Sequence, residues 1–232
     1  MGPLFEFRDV SLRKQATTVL DHVTVDLPGE GITVVIGASG AGKSSLLRCC
    51  NRLEVPTDGV VAFRGVDVAT MPPLEHRRRV AMVFQAPTPF PGTVLANLRA
   101  VETELSRDVA TALLERVGLA PALLDRSADA LSGGEAQRMV VARALTTSPE
   151  VLLADEATSA LDAGATTRLE GLARSLADDG MPVIWVTHDL LQVQRLADHL
   201  VVMRLGRVLW CGDAASTDAA DAIDLALHGS ER

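Results

Sequence analysis

The clearest chemistry lies in Gly37-Ala38-Ser39-Gly40-Ala41-Gly42-Lys43-Ser44, which fits G-x-x-x-x-G-K-[ST], with Ser45 following. The glycines permit turns that aim successive N–H groups at one point. A helix N-terminus behind them adds its dipole, so the segment is a concave anion site. Lys43 is placed to reach β- and γ-phosphates, and the Ser44 hydroxyl to ligate Mg²⁺. Further on, the apolar run Val151-Leu152-Leu153-Ala154 ends in two acids. Asp155 suits Mg²⁺, directly or through water, and Glu156 suits a base that polarises an attacking water.

Those two motifs define a P-loop NTPase, a class that includes small-molecule kinases, GTPases and motor ATPases. Leu131-Ser132-Gly133-Gly134-Glu135 narrows it. This is a second glycine-flexed loop feeding a helix expected over 136–145, and thus a second anion site. Two phosphate-facing sites on one chain are explained by a head-to-tail pair, each loop facing the other chain's nucleotide.

Strands are expected over 4–10 and 19–27, with a polar loop between them, and then over 32–36, 60–63 and 79–84. Helical spacing follows the Gly-rich loop over 43–53 and recurs at 93–100, 106–117 and 136–145. Strands at 150–154, 182–186, 200–204 and 208–211 alternate with helices at 163–177 and 190–197. The fold class is therefore α/β, with a mainly parallel sheet, an N-terminal antiparallel β subdomain and a helical insert. One domain is expected over 1–232: catalytic core with β subdomain at 1–92 and 149–211, helical subdomain at 93–148, and a tail at 212–232 containing one short helix.

With these motifs in this order, the chain resembles the ATP-binding subunits of ABC transporters over nearly its whole length. The resemblance implies an ATPase using ATP and Mg²⁺, with Ser132 and Gly134 contacting the γ-phosphate bound to the opposite subunit. It implies that Gln85 touches Mg²⁺ and the attacking water, that the loop Ser159–Asp162 crosses the dimer interface at Asp162, and that His188 senses the γ-phosphate. It further implies transmembrane permease subunits on separate chains, a homodimer or paired ATPase, a solute-binding protein if the system imports, and a place on the cytoplasmic face of the membrane. Residues after Gln85 (Ala-Pro-Thr-Pro-Phe-Pro-Gly-Thr-Val94) would line the docking groove, with Phe90 an apolar anchor or packed under its own loop. This segment and residues 51–54 look like phosphate and polar amino-acid importers. Gln85–Pro89 and 184–189 also look like small iron-export ATPases, and Ala157 stands where many importers have Pro. A soluble iron–sulfur assembly ATPase remains open as an alternative.

Most members of the family that the chain resembles carry an aromatic residue against adenine in the loop between the first two strands, often Tyr. This chain has no Tyr, so Arg13 or Lys14 is expected to cover the base. The net charge of −8 argues against nucleic acid as a partner. The basic run His76–Arg79 reads as a solvated helix end. Cys49, Cys50 and Cys211 fit neither a disulfide framework nor a metal spacing and read as reduced, mostly packed thiols. The acidic residue at position 6 and the missing apolar stretch speak against a signal peptide. The apolar runs are strand-length, too short to span a membrane.

Overall fold

A computed structural model describes residues 2–228. Along the chain run β1 (Phe5–Lys14), β2 (Thr17–Leu27), β3 (Ile32–Ile36), α1 (Lys43–Cys50), β4 (Asp58–Phe63), β5 (Val66–Asp67), α2 (Pro73–Arg79) and β6 (Val80–Val83). There follow α3 (Val94–Arg99), α4 (Arg107–Arg116), α5 (Gly133–Leu145), β7 (Val151–Asp155), α6 (Ala163–Asp178) and β8 (Val183–Thr187). The last elements are α7 (Leu190–Leu196), β9 (His199–Arg204), β10 (Arg207–Asp213) and α8 (Thr217–His228).

The mostly apolar runs of β3, β7 and β8 are buried at every position, as strands covered on both faces must be. They sit in a sheet of order β10-β9-β3-β8-β7-β6. Its pairings are parallel, except that β10 returns antiparallel on β9. Alternation along each strand divides the side chains between two cores. Val34, Leu152, Ala154 and Trp185 join the apolar faces of α5, α6 and α7. Val35, Leu153, Ile184 and Val186 meet Leu46 and Leu47 of α1 and Phe5 and Phe7 of β1. The second core continues into an antiparallel sheet of order β2-β1-β4-β5. The central strands thus end between two clamped layers, and the loops at their C-terminal ends carry the candidate chemistry.

Several boundaries differ from the sequence reading. β1 and β2 run on through most of the expected 11–18 loop and meet at Gln15-Ala16, with Gln15 at φ 54°. Register shifts between Phe7 and Val10 and between Val10 and Leu12 put Val10, Ser11 and Leu12 all inside. Bulges of this kind erase the period-two signal. α5 starts at Gly133 rather than 136, and α1 stops at Cys50, leaving Leu53 43% exposed. The basic run does end a helix, but it is not simply solvated. His76 is fully buried and its Nε2 donates to the Cys50 carbonyl at 2.7 Å. Burial pushes its pKa down, favouring the neutral ring. Arg79 pairs with Glu150 at 2.5 Å. Cys49 and Cys50 are buried, the Cys49 thiol pushed up to about 12 by desolvation, whereas Cys211 is exposed. The expected tail helix is α8; residues 229–232 lie outside the described residues. No helix among the described residues is long and apolar enough to cross a membrane.

Candidate nucleotide site

Between β3 and α1 the chain makes a tight loop that only glycine can build at its ends. A Cβ on Gly37 would lie 2.2 Å from the Met203 carbonyl oxygen. Gly42, at φ 98°, would set one 2.8 Å from the Val19 carbonyl oxygen. Ala38, Ser39 and Gly40 form an exposed rim, while Ala41 and Ser45 are buried. Lys43 is 5% exposed, and its Nζ donates to the carbonyls of Gly37 at 2.8 Å and Ala38 at 3.0 Å. An ammonium has three N–H groups, so one remains for a phosphate oxygen. Burial lowers the Lys43 pKa, and the charges of Glu156 and Asp155 oppose that shift.

Asp155 ends β7 beside the start of α1. Ser44 Oγ donates to Asp155 Oδ1 at 2.7 Å. Desolvation raises the Asp155 carboxyl despite this bond. A hydroxyl and a buried carboxylate are hard oxygen donors, which fit Mg²⁺. Glu156 follows at φ 48°, a left-handed conformation costly for a non-glycine residue. It is held by its N–H to the Val186 carbonyl at 3.2 Å and by the Ser159 N–H on its own carbonyl at 3.1 Å. Its Oε2 lies 3.5 Å from His188 Nδ1. The residues 37–45, Asp155, Glu156 and His188 therefore converge around the ends of β3, β7 and β8.

The remaining candidates stand apart from that cluster. Ser132 caps α5 through a capping box. Its Oγ accepts from Glu135 N at 3.3 Å and donates to Glu135 Oε2 at 2.8 Å, and its N–H donates to the same Oε2 at 2.9 Å. Leu131 packs on the core, and Gly134 passes so close to α6 that a Cβ would meet Ala165 Cβ at 2.8 Å. Asp162 is exposed and caps α6, Oδ1 accepting from Ala165 N at 2.8 Å. Gln85 is exposed just after β6. Beside it lies a groove of about 480 Å³ whose lining includes Leu53, Leu74, Phe84, Val101 and Arg143. Phe90 is 45% exposed, with the Arg143 guanidinium 4.2 Å from its ring centroid. Asn97 clamps the Phe90 N–H and carbonyl. Lys14 Nζ donates to Glu54 at 2.6 Å and to Ser45 Oγ at 3.3 Å, while Arg13 stays exposed.

Sequence reasoning missed the residues that brace these loops. Buried Gln137 of α5 donates to the Phe84 carbonyl at 3.0 Å, fixing the chain just before Gln85. Buried Gln192 of α7 bonds Thr158 and Thr187. Each reaches a partner far away in sequence, and a lone glutamine in a helix carries no local sign of that.

Comparison with known proteins gives a consistent picture. The family model described as ABC transporter matches residues 20–159. Protein STAR1 of Oryza sativa subsp. japonica is 40% identical over 215 residues, covering 90% of this chain and 62% of its own length, so the chain spans under two thirds of that relative. The phosphate import ATP-binding protein PstB of Mycobacterium intracellulare is 39% identical over 224 residues, covering 90% of this chain and 78% of its own. Among solved structures, a dimeric post-hydrolysis ATP-binding cassette bound to ADP and Pi superposes with TM-score 0.80 at 26% identity, covering 91% of this chain and 99% of that one.

Proposed function

The chain belongs to the ABC transporter family as an ATP-binding, ATP-hydrolysing subunit, and on that premise we propose that it powers import of a phosphate-type anion through membrane-spanning subunits on separate chains. The observation carrying the substrate class is the likeness, over 90% of this chain, to a relative named for phosphate import.

In this reading the N–H groups of residues 37–45 and Lys43 hold the phosphates. Ser44, Asp155 and Gln85 would hold Mg²⁺, which supplies positive charge against the β- and γ-phosphate oxygens when bound. Glu156 takes the proton of the attacking water, whose oxygen bonds to the γ-phosphorus as the bond to the β-phosphate bridging oxygen breaks, giving ADP and phosphate. His188 orients Glu156 and the γ-phosphate. Ser132 and Gly134 close on the nucleotide of a second copy, with Asp162 at the interface. The closed pair is favoured by ATP because contacts across it exist only with nucleotide bound. Residues 93–148 act as a helical subdomain carrying this motion to a permease segment seated in the groove beside Phe84, on the cytoplasmic face of the membrane, with a solute-binding protein outside. Arg13 covers the base in place of an aromatic ring. Without specific contacts to the base edge, hydrolysis rates for ATP and GTP are expected within roughly tenfold of each other.

The test is purified Glu156→Gln with ATP and Mg²⁺. Light scattering should report a dimer that forms only with ATP, and hydrolysis should drop on the order of 100-fold. Vesicles carrying the chain with its permease should accumulate phosphate, and the same variant should stop it. An ATP-dependent dimer together with uptake of a different solute would retain the ATPase and sink the phosphate assignment.

A further inference from the structure

We propose that Gln192 is a positioning residue for hydrolysis: its buried amide braces the loop after β7, which carries Glu156, against the loop after β8, which carries His188. This deepens the proposed site and rests on that reading.

Gln192 is 3% exposed on the inner face of α7. Its Nε2 donates to Thr158 Oγ1 at 2.7 Å and to Glu170 Oε1 at 3.0 Å. Its Oε1 accepts from Thr187 Oγ1 at 2.6 Å and from Trp185 Nε1 at 3.4 Å. Thr158 lies two residues after Glu156, and Thr187 directly precedes His188. The amide therefore ties together the two short segments whose functional side chains approach to 3.5 Å. A cavity of about 150 Å³ opens between them, lined by Glu156, Thr158, Thr187, His188 and Gln192 among others.

The chemistry of the neighbours admits one orientation of the amide. A tryptophan N–H only donates, so Oε1 must face Trp185; an ionised carboxylate only accepts, so Nε2 must face Glu170. Thr187 Oγ1 already accepts the Asp189 N–H at 3.0 Å, which directs its own proton to Oε1. Both amide hydrogens and the amide oxygen are thus engaged, and each bond is enclosed where loss of a partner leaves a buried polar group unpaired. Behind it, Arg195 holds Glu170 in a two-pronged ion pair at 2.7 and 2.8 Å. The anchor is consequently rigid on the side away from the reaction. A carboxylate at 192 could not donate to Glu170, and an apolar side chain could not pair with Thr158, Thr187 or Trp185. Glu156 is held at an unfavourable φ, so its loop needs such a restraint more than an unstrained turn would.

The experiment compares steady-state ATP hydrolysis by the full chain and its variants, with Glu156→Gln as the reference for the site itself. In Gln192→Met, which keeps length but loses every polar bond, kcat should fall roughly tenfold, the scale of a small misplacement of a catalytic group. KM for ATP should stay within about twofold, because no member of the network belongs to the phosphate loop. Gln192→Glu sets a second carboxylate against Glu170. The charged groups facing that position are Glu170 of α6, Arg195 and Asp189 at α7, and Glu156 and His188 at the cavity rim. Its kcat relative to the unmodified chain should rise as pH is lowered, because two facing carboxylates repel and uptake of one proton between them restores a donor. A Gln192→Met enzyme with kcat within about twofold of normal overturns the proposal. So does a Gln192→Glu enzyme whose relative kcat is flat with pH, and that profile decides alone if the methionine variant does not fold. Normal hydrolysis by Glu156→Gln would instead overturn the site reading and leave the two failures distinct.

Discussion

Two loops of this molecule use the same device, glycines feeding a helix N-terminus, and finish it in opposite ways. The loop at 37–45 is enclosed: Gly37 and Gly42 press against backbone oxygens, Lys43 is buried over its own carbonyls, and Ser44 is bonded to Asp155. The loop at 131–135 is open. Ser132 is exposed, a Cβ on Gly133 would meet nothing within 4 Å, and Glu135 of the same helix already sits on the Ser132 donors. The first can hold phosphate within one chain. The second has donors without an enclosing wall; in the function proposed above, a second copy of the chain supplies the wall and the phosphate.

The largest expected effect tests that division. Lys43→Ala and Ser132→Ala should each cut hydrolysis on the order of 10²–10³-fold, but only Lys43→Ala should weaken ATP binding to the isolated chain. Mixed in equal amounts, the two dead variants should recover about one quarter of the normal rate. Half of symmetric pairs would be mixed, and each mixed pair contains one wholly intact site. Measured turnover of the mixture that stays at the level of the parents would break the comparison.

A smaller effect should reverse sign between the loops. Gly42→Ala forces a Cβ onto a left-handed backbone and into the Val19 carbonyl, at a cost of at least about 1–2 kcal/mol. Gly133→Ala places alanine in the first turn of α5 with open space around it, and should add about 0.5–1 kcal/mol. That gain corresponds to a Tm rise of a few degrees, about 2–4 °C per kcal/mol for a chain of this size. Thermal unfolding of both variants checks this, and two shifts of the same sign would mean the loops are not built as described.

The contrast also explains what the sequence disclosed. Gly37–Ser44, Asp155 and the Leu131–Glu135 string were legible because each is a run of neighbours whose chemistry is local. The buried strands were legible because β3, β7 and β8 are short, largely apolar stretches bounded by turns. The β1–β2 hairpin was misread because its bulges break alternation. The burial of His76 was hidden because its partner, the Cys50 carbonyl, lies 26 residues away. Gln137 and Gln192 went unseen for the same reason: their role exists only once β6, β7 and β8 are side by side and α5 and α7 lie across them.

The smallest effect concerns one acid beside each loop, Asp155 bonded to Ser44 and Glu135 bonded to Ser132, which are displaced in opposite directions. Burial raises Asp155. Glu135 is lowered, first by the Ser132 N–H, then by the Ser132 hydroxyl, with Arg126 and Arg138 assisting. A carboxyl lowered in the folded chain contributes stability above its unfolded value and loses it as pH falls through the folded one. The stability advantage of the unmodified chain over Glu135→Gln should therefore be present at neutral pH and shrink below about pH 4.5, the ordinary value of the group. Glu135 is only partly buried, so the advantage is modest and salt should reduce it further. Denaturant titrations at several pH values measure it. An advantage that grew on acidification would mean that the Ser132 donors do not hold the Glu135 carboxylate, and that the open loop already has both donors free for an incoming phosphate.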